Sequence, residues 1–151
     1  MADNQKIQET LARILSDWGM LMVEPLADTL EGVFTHESPL FRASLAFKGP
    51  TTGRYEVVCQ EPFAKNLAAN LLGSDAAEVS TDDALEVLME LINIASGNLV
   101  TTMFGEDKVY ALSPPQVAVA TKELCLGDIQ AHSVGVFSGD FEPICFLYYP
   151  Q

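Results

Sequence analysis

One stretch of this chain, from Asp82 to Gly105, restricts the fold more than any other. It contains no proline, its apolar residues recur at helical intervals, and Ser80 and Asp83 stand at its start with the spacing of a capping box. With an advance of roughly 100° per residue, a single face collects the residues expected to enter a core: Leu85, Leu88, Met89, Ile92, Ala95, Ser96, Leu99 and Met103. The sequence therefore predicts one long helix that is buried along one side.

The opposite side of this predicted helix carries a narrow stripe of polar and small residues: Glu86, Glu90, Asn93 and Gly97. Glu90 and Asn93 stand at i and i+3, so their side chains emerge side by side and can address one small target. Asparagine and glycine are each about 0.5 to 1 kcal/mol less favourable than alanine inside a helix. From the pattern alone two interpretations remain open, which are an ordinary solvated face and a site aimed at another molecule.

Composition narrows the classes of protein to which the chain can belong. A length of 151 residues with 48% hydrophobic residues predicts a single globular domain spanning residues 1–151. There is no apolar run of about 18 residues and no signal-peptide pattern, so we expect a soluble, cytoplasmic protein. The net charge of −13, with only eight scattered basic residues, disfavours nucleic acid and anionic membranes as partners.

The residues that most often build metal or nucleophile sites are few and dispersed. Cys59, Cys125 and Cys145 are far apart and lie in apolar, strand-like runs, so they are predicted to be buried thiols in a reducing compartment. His36 and His132 have no partner residues at metal-ligand or triad spacing, so they are interpreted as ordinary histidines. No metal site is predicted.

Two β-hairpins are predicted from alternating apolar residues. In the first, residues 41–48 and 54–60 alternate on either side of a Gly-Pro-Thr-Thr-Gly turn, which indicates a hairpin with one buried face. The second joins residues 133–137 to residues 144–149 through Ser-Gly-Asp. Residues 32–36, 109–112 and 117–120 are also expected to be extended, and Pro114 and Pro115 are expected to interrupt the last two.

Two further helices complete the predicted elements. The second starts at Pro62, is expected to turn Phe63, Leu67, Leu71 and Leu72 inward, and stops at Gly73. The first has helical spacing from Ile7 to Trp18 and closes at Gly19. When Gly19 is laid under Gly97, the apolar positions of the first and long helices match, which indicates a weak internal duplication. In that alignment Ala12 and Leu15 replace Glu90 and Asn93, so the polar pair does not repeat.

Three ordered motifs give the chain a family resemblance. The long helix reads Glu-Leu-Ile-Asn and then Ile-Ala-Ser-Gly-Asn, with Asn-Leu-Ala-Ala-Asn-Leu-Leu-Gly before it and Leu-Ser-Pro-Pro after it. From about Phe41 to Ala120, the chain resembles the CheX branch of the CheC/CheX/FliY family of chemotaxis phosphatases, which dephosphorylate the response regulator CheY. The resemblance implies an α+β fold in which long helices pack on a largely antiparallel sheet with a weak internal duplication.

The resemblance also implies roles for residues of the long helix. Asn93 would orient the water that attacks the aspartyl phosphate of a CheY-like receiver, and Glu90 would pair with the receiver's active-site lysine. Glu86 is expected to be a docking contact. Gly97 would let the partner backbone approach, and apolar contact area is expected from Val87, Leu91 and Ile94.

The same resemblance implies which cofactor and partners the chain needs. No cofactor is expected on this chain, because Mg²⁺ would be held by the phosphorylated receiver. A homodimer formed through sheet edges is expected. The alternative function, from a different class, is a non-catalytic adaptor that uses the same helix to hold a receiver domain or a switch component.

Overall fold

The computed structural model describes residues 3–26, 33–34, 38–120 and 122–151. Its helices are α1 (Asn4–Arg13), α2 (Glu61–Leu72), α3 (Thr81–Phe104) and α4 (Lys122–His132). A π-helical turn (Ile14–Trp18) continues α1, and a short 3₁₀ turn (Ala76–Glu78) precedes α3. The strands are β1 (Val23–Pro25), β2 (Leu40–Lys48), β3 (Thr52–Gln60), β4 (Ala111–Leu112), β5 (Gln116–Ala120), β6 (Ser133–Gly139) and β7 (Glu142–Pro150). Mixed helices and antiparallel strands confirm the predicted α+β class.

Helix α3 confirms the long helix predicted from the sequence, with each end displaced by one residue. At its start the Ser80 hydroxyl accepts a hydrogen bond of 3.0 Å from the backbone N–H of Asp83, which satisfies a donor that the first turn leaves unpaired. At its end the chain leaves the helix at Gly105, where φ is 104°, a value that side chains disfavour. Both boundaries therefore arise from local chemistry.

The strands form one antiparallel sheet in the order β1-β6-β7-β3-β2, and both β4 and β5 pair with the outer edge of β2. The two predicted hairpins are confirmed as β2/β3 and β6/β7, although Thr52 and Gly53 belong to the strand and not to the turn. The predicted interruption by Pro114 and Pro115 is also confirmed, because it separates β4 from β5. Ser113 holds this break against β2 through hydrogen bonds of 2.8 Å with the backbone of Ala46.

Helices cover both faces of the sheet. Helices α1, α2 and α3 lie on one face, where they bury Phe41, Leu45 and Phe47 of β2, and α4 lies on the other, where Ile129 packs among Leu40, Val58, Cys145 and Leu147. The prediction of one buried hairpin face is therefore wrong for β3, in which every residue from Tyr55 to Gln60 is buried. The second face of β3 is covered by α4, a helix that was not predicted from the sequence.

The order of the strands shows the internal duplication. One half of the chain contributes α1, β1, β2 and β3, and the other contributes α3, β5, β6 and β7. From one edge, the order is β1, β6 and β7, so the first strand of one half is followed by the last two strands of the other. From the opposite edge, the order is β5, β2 and β3, which repeats the arrangement with the halves exchanged. The halves are therefore intertwined around a central β3/β7 pair, and α1 is the topological counterpart of α3.

Some local predictions were wrong or fall outside the described residues. Leu72 is 58% exposed, because α2 ends there and Gly73 turns the chain away with φ of 68°. Cys125 lies in α4 and not in a strand-like run. The short strand expected at residues 32–36 lies outside the described residues apart from positions 33 and 34, and His36 lies outside them entirely.

Candidate functional site

A ridge of exposed side chains runs along the outer surface of α3. The structure places the four stripe residues of the sequence analysis, Glu86, Glu90, Asn93 and Gly97, at the surface and in one line. Thr101 extends the line by another turn, and its hydroxyl donates a 3.4 Å hydrogen bond to the Gly97 carbonyl. We refer to these five residues as the α3 ridge. Thr101 was not among the predicted site residues, although its spacing of four residues from Gly97 places it on the same stripe.

Glu90 and Asn93 lie next to one another at the centre of the ridge. They are separated by three residues, which is about 4.5 Å along the helix axis and nearly one full turn around it. Within the part of the chain that the structure describes, neither side chain makes a hydrogen bond or an ion pair with another residue. Their donor and acceptor groups are therefore available to an incoming molecule.

Asn98 contrasts with Asn93 although both are exposed on the same helix. The Asn98 amide donates a 2.9 Å hydrogen bond to the carbonyl of Ile94, so its polar groups serve the helix itself. Asn98 therefore contributes to the fold, whereas Asn93 faces outward.

The opposite side of α3 is buried along most of its length and fixes the ridge in place, although Leu85 and Met89 of the predicted face are only partly buried. Ser96, Leu88, Ile92, Ala95 and Leu99 all have 1% exposure or less, and α3 is flanked by α1 and α2 as well as by β2 and β3. Such packing holds a helix to a single position and rotation, because protein interiors are packed as densely as organic crystals. The polar ridge is therefore presented on a rigid element, as a positioning site requires.

The prediction that apolar residues beside the ridge supply partner contacts is wrong for two of the three. Leu91 has 0% exposure and Val87 has 8%, and both belong to the main hydrophobic core. Ile94 is half-buried and packs against the same core. The physical reason is that α3 lies in a groove between α1 and α2, so its buried arc is wider than the single face that a sheet alone would cover.

Helix α3 also carries an unbalanced charge. Its sequence contains Asp82, Asp83, Glu86 and Glu90 and no Lys, Arg or His. The two aspartates in the first turn are favoured by the positive end of the helix dipole. The other two acids point along the ridge, where a cationic group on a partner would be attracted.

The other side chains that could act as nucleophiles or metal ligands are considered next. Burial raises the pKa of the Cys59 thiol, and burial also raises the pKa of Cys145 to about 11, so both are protonated and unreactive near neutral pH. The His132 ring lies 4.2 Å from the ring of Tyr149. Among the described residues, no group of three or more His, Cys, Asp and Glu side chains is arranged to hold a metal ion.

One helix of the described chain, α3, is long and apolar enough to cross a membrane by length and composition. Half of the relevant window is already buried inside the protein, and core helices of globular domains pass the same test. Its apolar residues are accounted for by the sheet and the two neighbouring helices.

The fold itself belongs to a known class, because solved structures of chemotaxis proteins superimpose on nearly the whole chain. CheX from Vibrio vulnificus is 13% identical with a TM-score of 0.65, and the match covers 97% of this chain and 95% of that one. A CheX–CheY–BeF3–Mg²⁺ complex from Borrelia burgdorferi gives 15% identity, a TM-score of 0.65 and coverage of 100% and 99%. FliY from Thermotoga maritima is 12% identical with a TM-score of 0.58, and the match covers 97% of this chain and 84% of that one.

The sequence itself assigns the family. Residues 41–135 match the family described as chemotaxis phosphatase CheX, and the chain belongs to that family. No curated protein matches the chain. The resemblance stated from the motifs of the long helix is thereby confirmed.

Proposed function

We propose that this protein accelerates hydrolysis of the aspartyl phosphate on a CheY-like response regulator, and that Asn93 and Glu90 carry the activity. The observation that supports the proposal is the pairing of an outward-facing amide with an outward-facing carboxylate. They stand one turn apart on the rigid α3 ridge, have no partners among the described residues, and belong to a chain of the CheX family.

The chemistry requires little from the phosphatase beyond positioning. Water attacks phosphorus, the bond between phosphorus and the aspartate oxygen breaks, and the products are inorganic phosphate and the free carboxylate with release of a proton. An amide is suited to orient that water, because its oxygen accepts a hydrogen bond from the water while its nitrogen donates elsewhere. Asn93 adds no negative charge, which would repel the phosphoryl oxygens.

Glu90 is proposed to fix the docking geometry. A carboxylate on the ridge can pair with the lysine of the receiver's active site, and this charge-assisted contact would set the rotation of α3 over the phosphoryl group. Glu86, one turn earlier, is proposed as a second docking contact. Mg²⁺ would be supplied by the receiver, where it neutralises charge on the phosphoryl group, and no cofactor is proposed for this chain.

The assembly and location of the protein are part of the same proposal. We infer a homodimer formed through a sheet edge, and β5 is the stronger candidate edge because it is five residues long and carries the exposed Val119. Since a receiver-directed phosphatase must meet its substrate, the protein is proposed to act in the cytoplasm.

The activity is tested by following phosphate loss from a phosphorylated CheY-like receiver of the source organism. We expect wild-type protein to accelerate the loss and Asn93→Ala to abolish the acceleration. Asn98→Ala is the matched control, because it removes an exposed asparagine from the same helix but only a local backbone contact. Unchanged phosphate loss with wild-type protein, or equal acceleration by Asn93→Ala, contradicts the proposal.

The same experiment separates the phosphatase from the adaptor. An adaptor would bind the receiver activated with beryllofluoride and leave the rate of phosphate loss unchanged. A phosphatase would bind it and also lose its rate enhancement, with binding retained, in Asn93→Ala. Binding without any enhancement by wild-type protein therefore assigns the adaptor function.

A further inference from the structure

Gly97 has no structural explanation within the described fold. It lies in the interior of α3, where glycine is the least favourable residue after proline. A side chain built at this position meets no atom within 4 Å, and the position is exposed. Neither helix packing nor an unusual backbone conformation therefore accounts for the absence of a side chain.

The counterpart of Gly97 in the other half of the chain shows what a structural glycine looks like. Gly19 is buried, and a Cβ there would lie 2.6 Å from the carbonyl oxygen of Leu15 and 3.0 Å from the side chain of Leu67. Its small size is required by close packing. The same requirement does not apply at Gly97, so the reason for its small size lies outside the described chain.

The position of Gly97 on the ridge indicates what that reason is. It lies four residues, or about 6 Å of helix, beyond Asn93 and four residues before Thr101. Between these two polar side chains the ridge therefore has a gap, which we call the Gly97 notch. The notch is flanked by the Asn93 amide, which can donate to and accept from a peptide backbone, and by the Thr101 hydroxyl, which donates to the Gly97 carbonyl and can still accept a hydrogen bond.

We infer that the Gly97 notch receives a main-chain segment of the phosphorylated receiver, and that Gly97 thereby determines how closely Asn93 approaches the phosphoryl group. This inference rests on the proposed phosphatase function and adds a specificity-determining residue to it. The acidic ridge, on a helix without basic residues, complements a partner that presents a lysine beside its reacting group. A Cβ would stand about 1.5 Å above the helix backbone and hold such a segment away.

Two substitutions at Gly97 test the inference, because alanine is expected to increase stability and to weaken receiver binding, and glutamine to weaken that binding further. Gly97→Ala should raise the melting temperature by about 2 to 4 °C, because alanine is the better helix former and meets no obstacle. The same variant should raise the KM for the phosphorylated receiver by about tenfold or more, since the methyl group occupies the notch. Gly97→Gln, with a longer side chain, should raise KM further.

The chain offers a matched control in α4, on the opposite face of the sheet. Gly127 is also an exposed helical glycine with open space around an added Cβ. Gly127→Ala should raise the melting temperature to a similar extent and leave KM and kcat unchanged. The contrast isolates the position on the ridge from the general effect of removing a helical glycine.

Each outcome decides the inference. A stabilised Gly97→Ala with raised KM, next to a stabilised Gly127→Ala with normal KM, supports it. An unchanged KM in Gly97→Ala, a lowered melting temperature, or an equal rise of KM in both variants overturns it.

The inference can fail separately from the proposed function. If Asn93→Ala loses activity while Gly97→Ala retains its KM, only the notch is wrong. If wild-type protein has no activity, the affinity for beryllofluoride-activated receiver still tests the notch, because Gly97→Gln must then bind more weakly than Gly127→Ala.

Discussion

Leu91 lies directly beside Glu90, yet the structure predicts that its replacement acts on stability and not on catalysis. The side chain has 0% exposure and belongs to the main core beneath α3. Leu91→Ala removes its methyl groups from that core and leaves a cavity, which costs about 2 to 5 kcal/mol in comparable positions. A loss of about 3 kcal/mol corresponds to a melting temperature lowered by roughly 6 to 12 °C for a chain of this length.

The assay is urea unfolding followed through the fluorescence of Trp18, which is the single tryptophan of the chain and packs against the same core. Ile94→Ala serves as the comparison, because Ile94 is only half-buried and should cost less. Below the melting transition, the folded Leu91→Ala protein should retain the wild-type KM for the receiver. A free energy of unfolding within about 0.5 kcal/mol of wild type, together with weaker receiver binding, would show that Leu91 docks the partner.

Two further predictions concern groups away from the ridge. Arg42→Met removes one of two ion-pair partners of the Glu56 carboxylate, whose side chain is only 5% exposed; because Arg54 stays 3.9 Å from the same carboxylate, we expect a cost of about 3 kcal/mol, the lower end for breaking a buried pair. Asp128→Asn, at a 46% exposed side chain bonded to the same guanidinium, should cost less than about 1 kcal/mol, and equal costs in urea unfolding would contradict the assignment. Burial raises the pKa of Cys145 from 9.0 to about 11 and also raises that of Cys59, so their contribution to stability is complete below pH 9 and is lost as pH rises through the folded values. Alkaline unfolding should therefore start above pH 9, and rapid reaction of both thiols with a thiol reagent at pH 8 in the native protein would refute their burial.

The parts of the fold that the sequence predicted are those in which local chemistry determines structure. The capping serine at Ser80 and the terminating Gly105 define α3, and strict alternation defines the β2/β3 hairpin. The outward direction of Glu90 and Asn93 follows from helical geometry once the opposite face is known to be apolar. These features need no information about distant parts of the chain.

The parts that could not be predicted depend on how elements cover one another. A helical wheel orders Val87 and Leu91 around the axis but does not show that α1 and α2 flank α3 and close over them. The helix α4 has little separation of polar from apolar faces, so periodicity gave no signal for it, and its cover over Val58 was missed as a result. The openness of Gly97 was equally invisible, because only coordinates distinguish it from the closely packed Gly19.

The role of Asn93 is measured most directly as the rate of phosphate loss from a phosphorylated receiver under single-turnover conditions, with this protein at saturating concentration. Saturation removes differences in affinity, so the rate reports only how well the attacking water is positioned. We expect Asn93→Ala to lower the rate by about 10²-fold or more and Asn98→Ala to leave it unchanged. A rate for Asn93→Ala equal to that of wild type at saturation would contradict the assignment of Asn93 as the residue that orients the water.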